Sequence, residues 1–176
     1  ERLDRVAVDR LGVHPIDGLD DRSAIRVRYV DQHPVDVEDH CVDLHTSVAD
    51  GGGKERSGFV VDAVAVGGGE KNIGITSQDL YYRRRNYVFG LAYLNGNGSV
   101  ISTHRLRTSS DGGVSTKPAI DVFADRVRKE VVHEIGHTLG LEHCDNSKCV
   151  MSFSPTVREV DVKEENLCGT CSRLVR

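Results

Sequence analysis

This sequence lacks long apolar runs. No stretch of its 176 residues approaches the roughly 18 consecutive apolar residues of a transmembrane helix, and no charged segment followed by an apolar one opens the chain as a leader would. Basic residues are not gathered into a patch, and the formal net charge is -4. We therefore expect a cytoplasmic protein that binds neither a membrane nor a nucleic acid.

The only basic run is Arg83-Arg84-Arg85. Short runs of like charge usually belong to solvated turns, because repulsion between the side chains keeps them in water. We interpret this run as such a turn, with an anion site as the alternative.

Size and composition bound the number of domains. A chain of 176 residues with 38% hydrophobic residues buries one sizeable core, and a second full domain is not expected. The prediction is a single domain over residues 1–176, with a cysteine-rich module at 144–171. We expect it to be a monomer.

The strongest chemical signal is the pattern His133-Glu134-x-x-His137 followed by Gly140 and His143. Residues four apart lie on the same face of a helix, so His133 and His137 are able to chelate one zinc ion. Glu134 is rotated about 100° from His133, which suits a general base better than a third ligand. Gly140 is suited to end the helix, and His143 then becomes the third ligand.

Four of the five cysteines follow this motif, at positions 144, 149, 168 and 171. Their two pairs are spaced C-x4-C and C-x2-C, which places four thiolates on two tight loops and suits a tetrahedral zinc site. Two disulfides are the alternative, and they would require an oxidising compartment.

Periodicity predicts several strands and one long helix. Alternating apolar and basic residues predict a strand at 24–30, and β-branched composition favours another at 59–66. Apolar positions at spacings of three and four predict a helix from Pro118 to Gly140, capped by Ser115 or Thr116. A last short helix is expected at 155–165. Three further strand candidates lie at 72–76, 87–94 and 99–103.

The motif and the cysteines together resemble the archaemetzincin family of zinc metallopeptidases. The similarity extends backwards to about residue 70, through the segments GITSQDLY (74–81), NYVFG (86–90) and KEVV (129–132). There are two departures from the family pattern. The segment between Met151 and Cys168 is one residue shorter than usual, and Phe153 stands where some other metzincins carry a tyrosine.

The resemblance implies a metzincin-like α/β (α+β) fold, with a twisted, mostly parallel sheet, an active-site helix and a C-terminal helix. It also implies that residues 59–66 are helical, against their β propensity. Two zinc ions per chain are implied. The catalytic ion would be held by His133, His137 and His143, with Met151 in the turn beneath it, and the structural ion by Cys144, Cys149, Cys168 and Cys171.

The predicted reaction is hydrolysis of peptide bonds in a peptide or protein substrate, with Glu134 as general acid and base. We expect the strand at 99–103 to offer its edge to an extended peptide. The alternative function is a zinc-binding protein of peptidase shape that binds peptides or chain termini and hydrolyses little. An interaction module built on the cysteines is disfavoured, because acidic residues dilute the basic ones around them.

Overall fold

The computed structural model of the protein describes residues 25–29, 54–56, 71–108 and 117–175. The helix expected at 59–66 and the caps expected at Ser115 or Thr116 lie outside these residues. Seven strands lie within the described ranges: β1 (Ile25–Tyr29), β2 (Lys54–Arg56), β3 (Lys71–Thr76), β4 (Asp79–Tyr82), β5 (Arg85–Val88), β6 (Gly90–Ala92) and β7 (Gly98–Ser102).

The main sheet has the strand order β1-β3-β7-β6. Neighbours among β1, β3 and β7 are parallel, and β6 runs antiparallel to β7 at one edge. All of β7 and all of β3 except Lys71 are buried, as expected for parallel strands covered on both faces. The mostly parallel sheet is therefore confirmed.

Two predictions about these strands were wrong. Strand β7 is hydrogen-bonded on both sides, to β3 and to β6, so the edge expected at 99–103 is not free; β6 holds the edge. The single strand expected at 87–94 is two strands in two sheets, separated at Phe89. Phe89 is buried in the core, and its carbonyl accepts a hydrogen bond from Ser102.

A second, smaller sheet has the order β2-β4-β5. Strands β4 and β5 form a hairpin in which Tyr82 pairs with Arg85. The two residues between them make the turn, and Arg83 has a φ of 54°, which few residues other than glycine adopt readily. Two of the three arginines of the basic run therefore form a turn, as predicted, whereas Arg85 begins a strand.

The long helix α1 spans Ala119–Thr138, close to the predicted bounds. Pro118 is its N-cap residue and no side chain caps it. Its buried apolar residues pack against the main sheet, and each contributes about 2 kcal/mol by leaving water. On the helix these are Phe123, Val127, Val131 and Ile135, and on the strands Ile73, Ile75 and Ile101.

Two short helices follow. Helix α2 (Val157–Val162) begins with a capping box in which Thr156 and Glu159 satisfy each other's backbone N–H groups. The helix ends where Lys163 takes an extended conformation, so it is shorter at both ends than the predicted 155–165. Helix α3 (Gly169–Leu174) starts directly after Cys168. Among the described residues, no helix is long and apolar enough to cross a bilayer.

Candidate active site and zinc centres

Helix α1 carries two of the predicted zinc ligands in its last two turns. The ring atom Nδ1 of His133 lies 2.8 Å from the carbonyl oxygen of Val150, and Nδ1 of His137 lies 2.6 Å from that of Leu141. A carbonyl oxygen only accepts hydrogen bonds, so each Nδ1 carries the hydrogen. The lone pair of each imidazole is therefore on Nε2, where a metal would bind.

The two Nε2 atoms lie 3.2 Å apart. Neither has a hydrogen to donate, so two lone pairs face each other and would repel without a cation between them. Two nitrogens bound tetrahedrally at about 2.0 to 2.1 Å from a zinc ion are separated by about 3.3 Å. The arrangement therefore fits a zinc ion. Burial also lowers the pKa of His133 well below its usual value and lowers that of His137, which keeps both neutral and able to bind metal.

The third ligand reaches this point because the chain turns sharply after α1. Gly140 has a φ of 91°, and a Cβ there would lie 2.3 Å from Oδ1 of Asn95, so the turn requires glycine. The ring of His143 then lies 4.8 Å from that of His137 and 5.3 Å from that of His133, measured between centroids. One ligand atom from each of the three histidines lies within 4.8 Å of the others.

Glu134 lies beside this triad and is 4% exposed. Its Oε2 atom is buried without a hydrogen-bond partner among the described residues, which suits a group that receives one from a water or a substrate. Burial raises the pKa of Glu134 well above its usual value, and the nearby Glu130 carboxylate adds to the effect.

A glycine makes room for Glu134. A Cβ on Gly90, the first residue of β6, would lie 2.4 Å from Oε1 of Glu134. Strand β6 therefore approaches the helix closely enough to fix the carboxylate, and any larger residue at position 90 would displace it. Sequence reasoning missed this role, although Gly90 stands at the end of a segment that carried the family resemblance.

Met151 lies beneath the histidines and is fully buried. A Cβ on Gly136 would lie 2.4 Å from the sulfur of Met151, so the side chain packs directly against the helix between the two ligands. The residue before it, Val150, supplies the carbonyl that orients His133. The place of Met151 in a turn beneath the metal stays a prediction.

The four cysteines meet behind this turn. Their sulfur atoms lie within 4.8 Å of one another, and the Sγ atoms of Cys144 and Cys168 are 3.8 Å apart. All four thiols are free. A tetrahedral zinc with Zn–S distances of about 2.3 Å separates its sulfurs by about 3.8 Å, whereas a disulfide requires about 2.05 Å. The geometry therefore fits zinc and not the alternative pair of disulfides.

Cys168 is already suited to bind as a thiolate. A backbone hydrogen bond from Cys171 lowers the pKa of Cys168 to about 6, because Cys168 stands at the N-terminus of α3. Cys149 receives a hydrogen bond from the backbone N–H of Cys168 at 3.3 Å. Desolvation by burial raises the pKa of Cys171, so that thiol would give up its proton only to a metal.

An ion pair that sequence reasoning missed joins the two halves of the site. The ammonium of Lys163 lies 2.8 Å from a carboxylate oxygen of Glu130, and both side chains are almost fully buried. Glu130 is one turn before Glu134 on the same face of α1, and Lys163 follows α2. A single sequence does not reveal the burial of Lys163, because that burial depends on the tertiary fold.

The histidines and Glu134 open into a cleft of about 440 Å³ between β5, β6 and the loop after Met151. Phe153 is 45% exposed in that loop, and its ring centroid lies 5.1 Å from that of His143. As a phenylalanine, it has no hydroxyl group to offer to a substrate. Tyr87 does not replace it, because its hydroxyl donates to the carbonyl of Pro155.

This chain is similar to one family of known peptidases. A family model described as peptidase family M54 matches residues 53–176. Archaemetzincin of Haloquadratum walsbyi is 80% identical over 117 residues, which are 66% of this chain and 68% of that protein. Archaemetzincin of Methanopyrus kandleri, a solved structure, matches with a TM-score of 0.61 and 38% identity over 70% of this chain and 64% of that one. Archaemetzincin of Archaeoglobus fulgidus, solved with malonate, matches with a TM-score of 0.59 and 36% identity over 70% of each chain.

The fold is mixed α/β, with two histidines on a long helix, a third in the loop after it and a nearby four-cysteine group. Together with the family match, these features define a zinc metallopeptidase. The two groups suit one catalytic and one structural zinc ion. The chain belongs to peptidase family M54. The sequence similarity to this family was expected over about residues 70–171, and the match of the family model extends it to residues 53–176.

Proposed function

We propose that this protein hydrolyses peptide bonds with a water molecule that Glu134 deprotonates, at a zinc ion held by His133, His137 and His143. The observation that carries the proposal is the pair of facing Nε2 atoms 3.2 Å apart, together with the buried Oε2 atom of Glu134, to which none of the described residues donates a hydrogen bond. When bound, zinc would lower the pKa of a water toward neutrality and polarise the scissile carbonyl as a Lewis acid.

Glu134 moves the proton in this mechanism. Its Oε2 atom accepts the proton of the attacking water, and the same carboxyl group then donates it to the leaving amine. The buried carboxyl group lines the same cleft as the three histidines, where it can accept the proton in the first step and return it in the second. Gly90 keeps the carboxylate in place throughout, since β6 packs against it.

The four cysteines, Cys144, Cys149, Cys168 and Cys171, would hold the structural zinc. Their role is to fix the loop that carries His143 and Met151, and the hydrogen bond from the backbone N–H of Cys144 to the carbonyl of Met151, 3.0 Å long, supports this. We further propose that residues 1–176 form one catalytic domain with the cysteine module at 144–171.

The substrates of this family are peptides or proteins, and we propose that this chain acts on them as a cytoplasmic monomer without a nucleic-acid or membrane partner.

The test is the variant Glu134→Gln, which keeps the shape of the side chain and removes the base. We expect it to retain two zinc ions per chain and to lose hydrolysis of a fluorogenic peptide library by at least about a hundredfold. Hydrolysis that survives in the zinc-replete variant would exclude Glu134 as the base. A wild-type protein that binds peptides and cleaves none would favour the peptide-binding alternative.

A further inference from the structure

The basic run Arg83-Arg84-Arg85 does not form one solvated turn. Arg83 and Arg84 make the turn of the β4–β5 hairpin, whereas Arg85 begins β5 and lines the cleft. The guanidinium carbon of Arg85 lies 4.8 Å from the ring centroid of Phe153, over its face. Phe153 in turn contacts the ligand His143. One aromatic ring therefore separates the guanidinium of Arg85 from the metal site.

Arg85 differs from Arg105 and Arg126, which are each paired with a carboxylate. Arg105 makes three hydrogen bonds with Asp79, and Arg126 makes two with Asp161. Among the side chains that the structure describes, no carboxylate lies within ion-pair distance of Arg85. Its cation lines the cleft, and none of the described carboxylates neutralises it.

No carboxylate in the cleft is available to Arg85. Of the described residues that line it, the acidic ones are Glu130 and Glu134. Glu130 is paired with Lys163, and Glu134 lies against Gly90. The remaining wall near Arg85 is aromatic and includes Tyr82 and Phe153. This end of the cleft is therefore positively charged and lined with rings.

A guanidinium stacked on a ring is held in position while the N–H groups at its edge remain free to donate. Those donors match the two oxygens of a carboxylate, which an arginine binds in a bidentate manner. The cation–π contact also fixes the side chain before a ligand arrives, so less rotamer entropy is lost on binding.

We propose that Arg85 is a specificity-determining residue that binds a carboxylate of the peptide substrate. Arg85 and His143 each lie about 5 Å from Phe153, so the guanidinium is within about two or three residues of the scissile bond, at about 3.3 Å per residue of extended chain. The carboxylate belongs to an acidic side chain or to the C-terminus of the substrate. As a statement about substrates, the proposal rests on the proposed hydrolysis.

The experiment compares matched peptides with the zinc-replete protein. In the first arm, amidated fluorogenic peptides carry Asp or Asn at each of the three positions on either side of the scissile bond. In the second arm, a peptide without acidic residues is offered with a free or an amidated C-terminus. We expect the carboxylate form to be favoured about fivefold to tenfold in kcat/KM in at least one arm, a range set by a partly exposed ion pair. The arm that responds identifies the source of the carboxylate.

Three variants assign the preference to Arg85. Arg85→Met should reduce the ratio to about one, and Arg85→Glu should reverse it in favour of a Lys-containing peptide. Arg84→Met, in the turn of the same hairpin, is the matched control and should keep the wild-type ratio and rate. A ratio near one in wild-type protein in both arms, or a preference that persists in Arg85→Met, would overturn the proposal.

A binding measurement separates this proposal from the proposed hydrolysis. Fluorescence anisotropy of the same labelled peptides with Glu134→Gln protein, and with Glu134→Gln/Arg85→Met, needs no turnover. A preference for the carboxylate peptide that depends on Arg85 supports the subsite even if the wild-type protein cleaves nothing, in which case the proposed hydrolysis alone fails. Equal binding of both peptides to Glu134→Gln protein, alongside normal wild-type cleavage, would exclude the subsite and leave the hydrolysis standing.

Discussion

The two metal centres are adjacent in sequence, since His143 belongs to one and Cys144 to the other, but they are built differently. Two of the three histidines lie on a 20-residue helix whose apolar face is packed against the main sheet, and their rings are oriented by backbone carbonyls. The cysteines lie in loops and in the first turn of a six-residue helix, in a smaller apolar cluster separate from the one packed against the main sheet. Packing can arrange the histidines before a metal binds, whereas the cysteine module depends on its metal for stability.

The largest effect should come from removing zinc. A structural zinc site contributes about 10 to 16 kcal/mol to the folding of a small module. After chelation we expect residues 144–152 and 166–174 to lose protection from hydrogen exchange, while α1 keeps most of its protection. Hydrogen–deuterium exchange measured by mass spectrometry reports this protection for each peptide of the chain. Equal loss of protection in α1 and in the cysteine module would show that the two centres do not differ as described.

The next largest effect should come from Lys163→Met, which breaks the buried ion pair between the two regions. It leaves Glu130 unpaired next to Glu134, and breaking such a pair costs about 3 to 5 kcal/mol in the free energy of unfolding. Urea denaturation of the zinc-replete protein measures the loss. The double variant Glu130→Gln/Lys163→Met is the control, because it removes both charges and should recover most of the stability. If it is as unstable as the single variant, the pairing is not what stabilises this contact.

Gly90→Ala should act on the histidine region alone. The added methyl group would lie 2.4 Å from Oε1 of Glu134 and displace the carboxylate, and a shift of about 1 Å in a catalytic group costs roughly a hundredfold in rate. We expect kcat to fall by about that factor, with both zinc ions retained. Gly169→Ala is the matched control, since its nearest neighbour would be Arg173 Nη1 at 3.9 Å. An unchanged kcat in Gly90→Ala would mean that this contact does not position Glu134.

The smallest effect should be the coupling between the centres. In Cys168→Ala the structural zinc is weakened, and the loop that presents His143 and Met151 loosens with it. Changes in groups that orient metal ligands typically cost 10- to 100-fold in metal affinity, and we expect about tenfold for the catalytic zinc. Competition with a chromophoric chelator measures this affinity. A catalytic zinc affinity equal to that of the wild type would disprove the coupling and leave the peptidase assignment intact.

The metal ligands were the part of the site that the sequence predicted best. The histidine spacing is a local property of a helix, and the apolar period of residues 120–135 predicted that helix to within a few residues. The strands at 72–76 and 99–103 were found for the same reason, since short β-branched runs reflect local propensity.

What the sequence did not predict depends on contacts between distant residues. The break between β5 and β6 at Phe89 follows from burial of that ring in the core, and the edge position of β6 follows from strand order. Neither is encoded within a local window. The burial of Lys163 and the contact of Arg85 with Phe153 likewise join residues far apart in the chain, so composition and periodicity treat both cations as surface charges.

Lys71, the first residue of β3, fixes the position of helix α1 along its own axis. Its ammonium donates to the carbonyl of Thr138 at 2.8 Å and to that of Gly96 at 2.9 Å, so the last turn of α1 and the turn before β7 share one cation. A slip of α1 by one turn is about 5.4 Å, and it would break the first of these bonds and move both histidine ligands away from His143. The sheet therefore sets how far His133 and His137 extend into the cleft. An insertion in the β6–β7 turn would alter the distance between the metal and the substrate without changing any ligand.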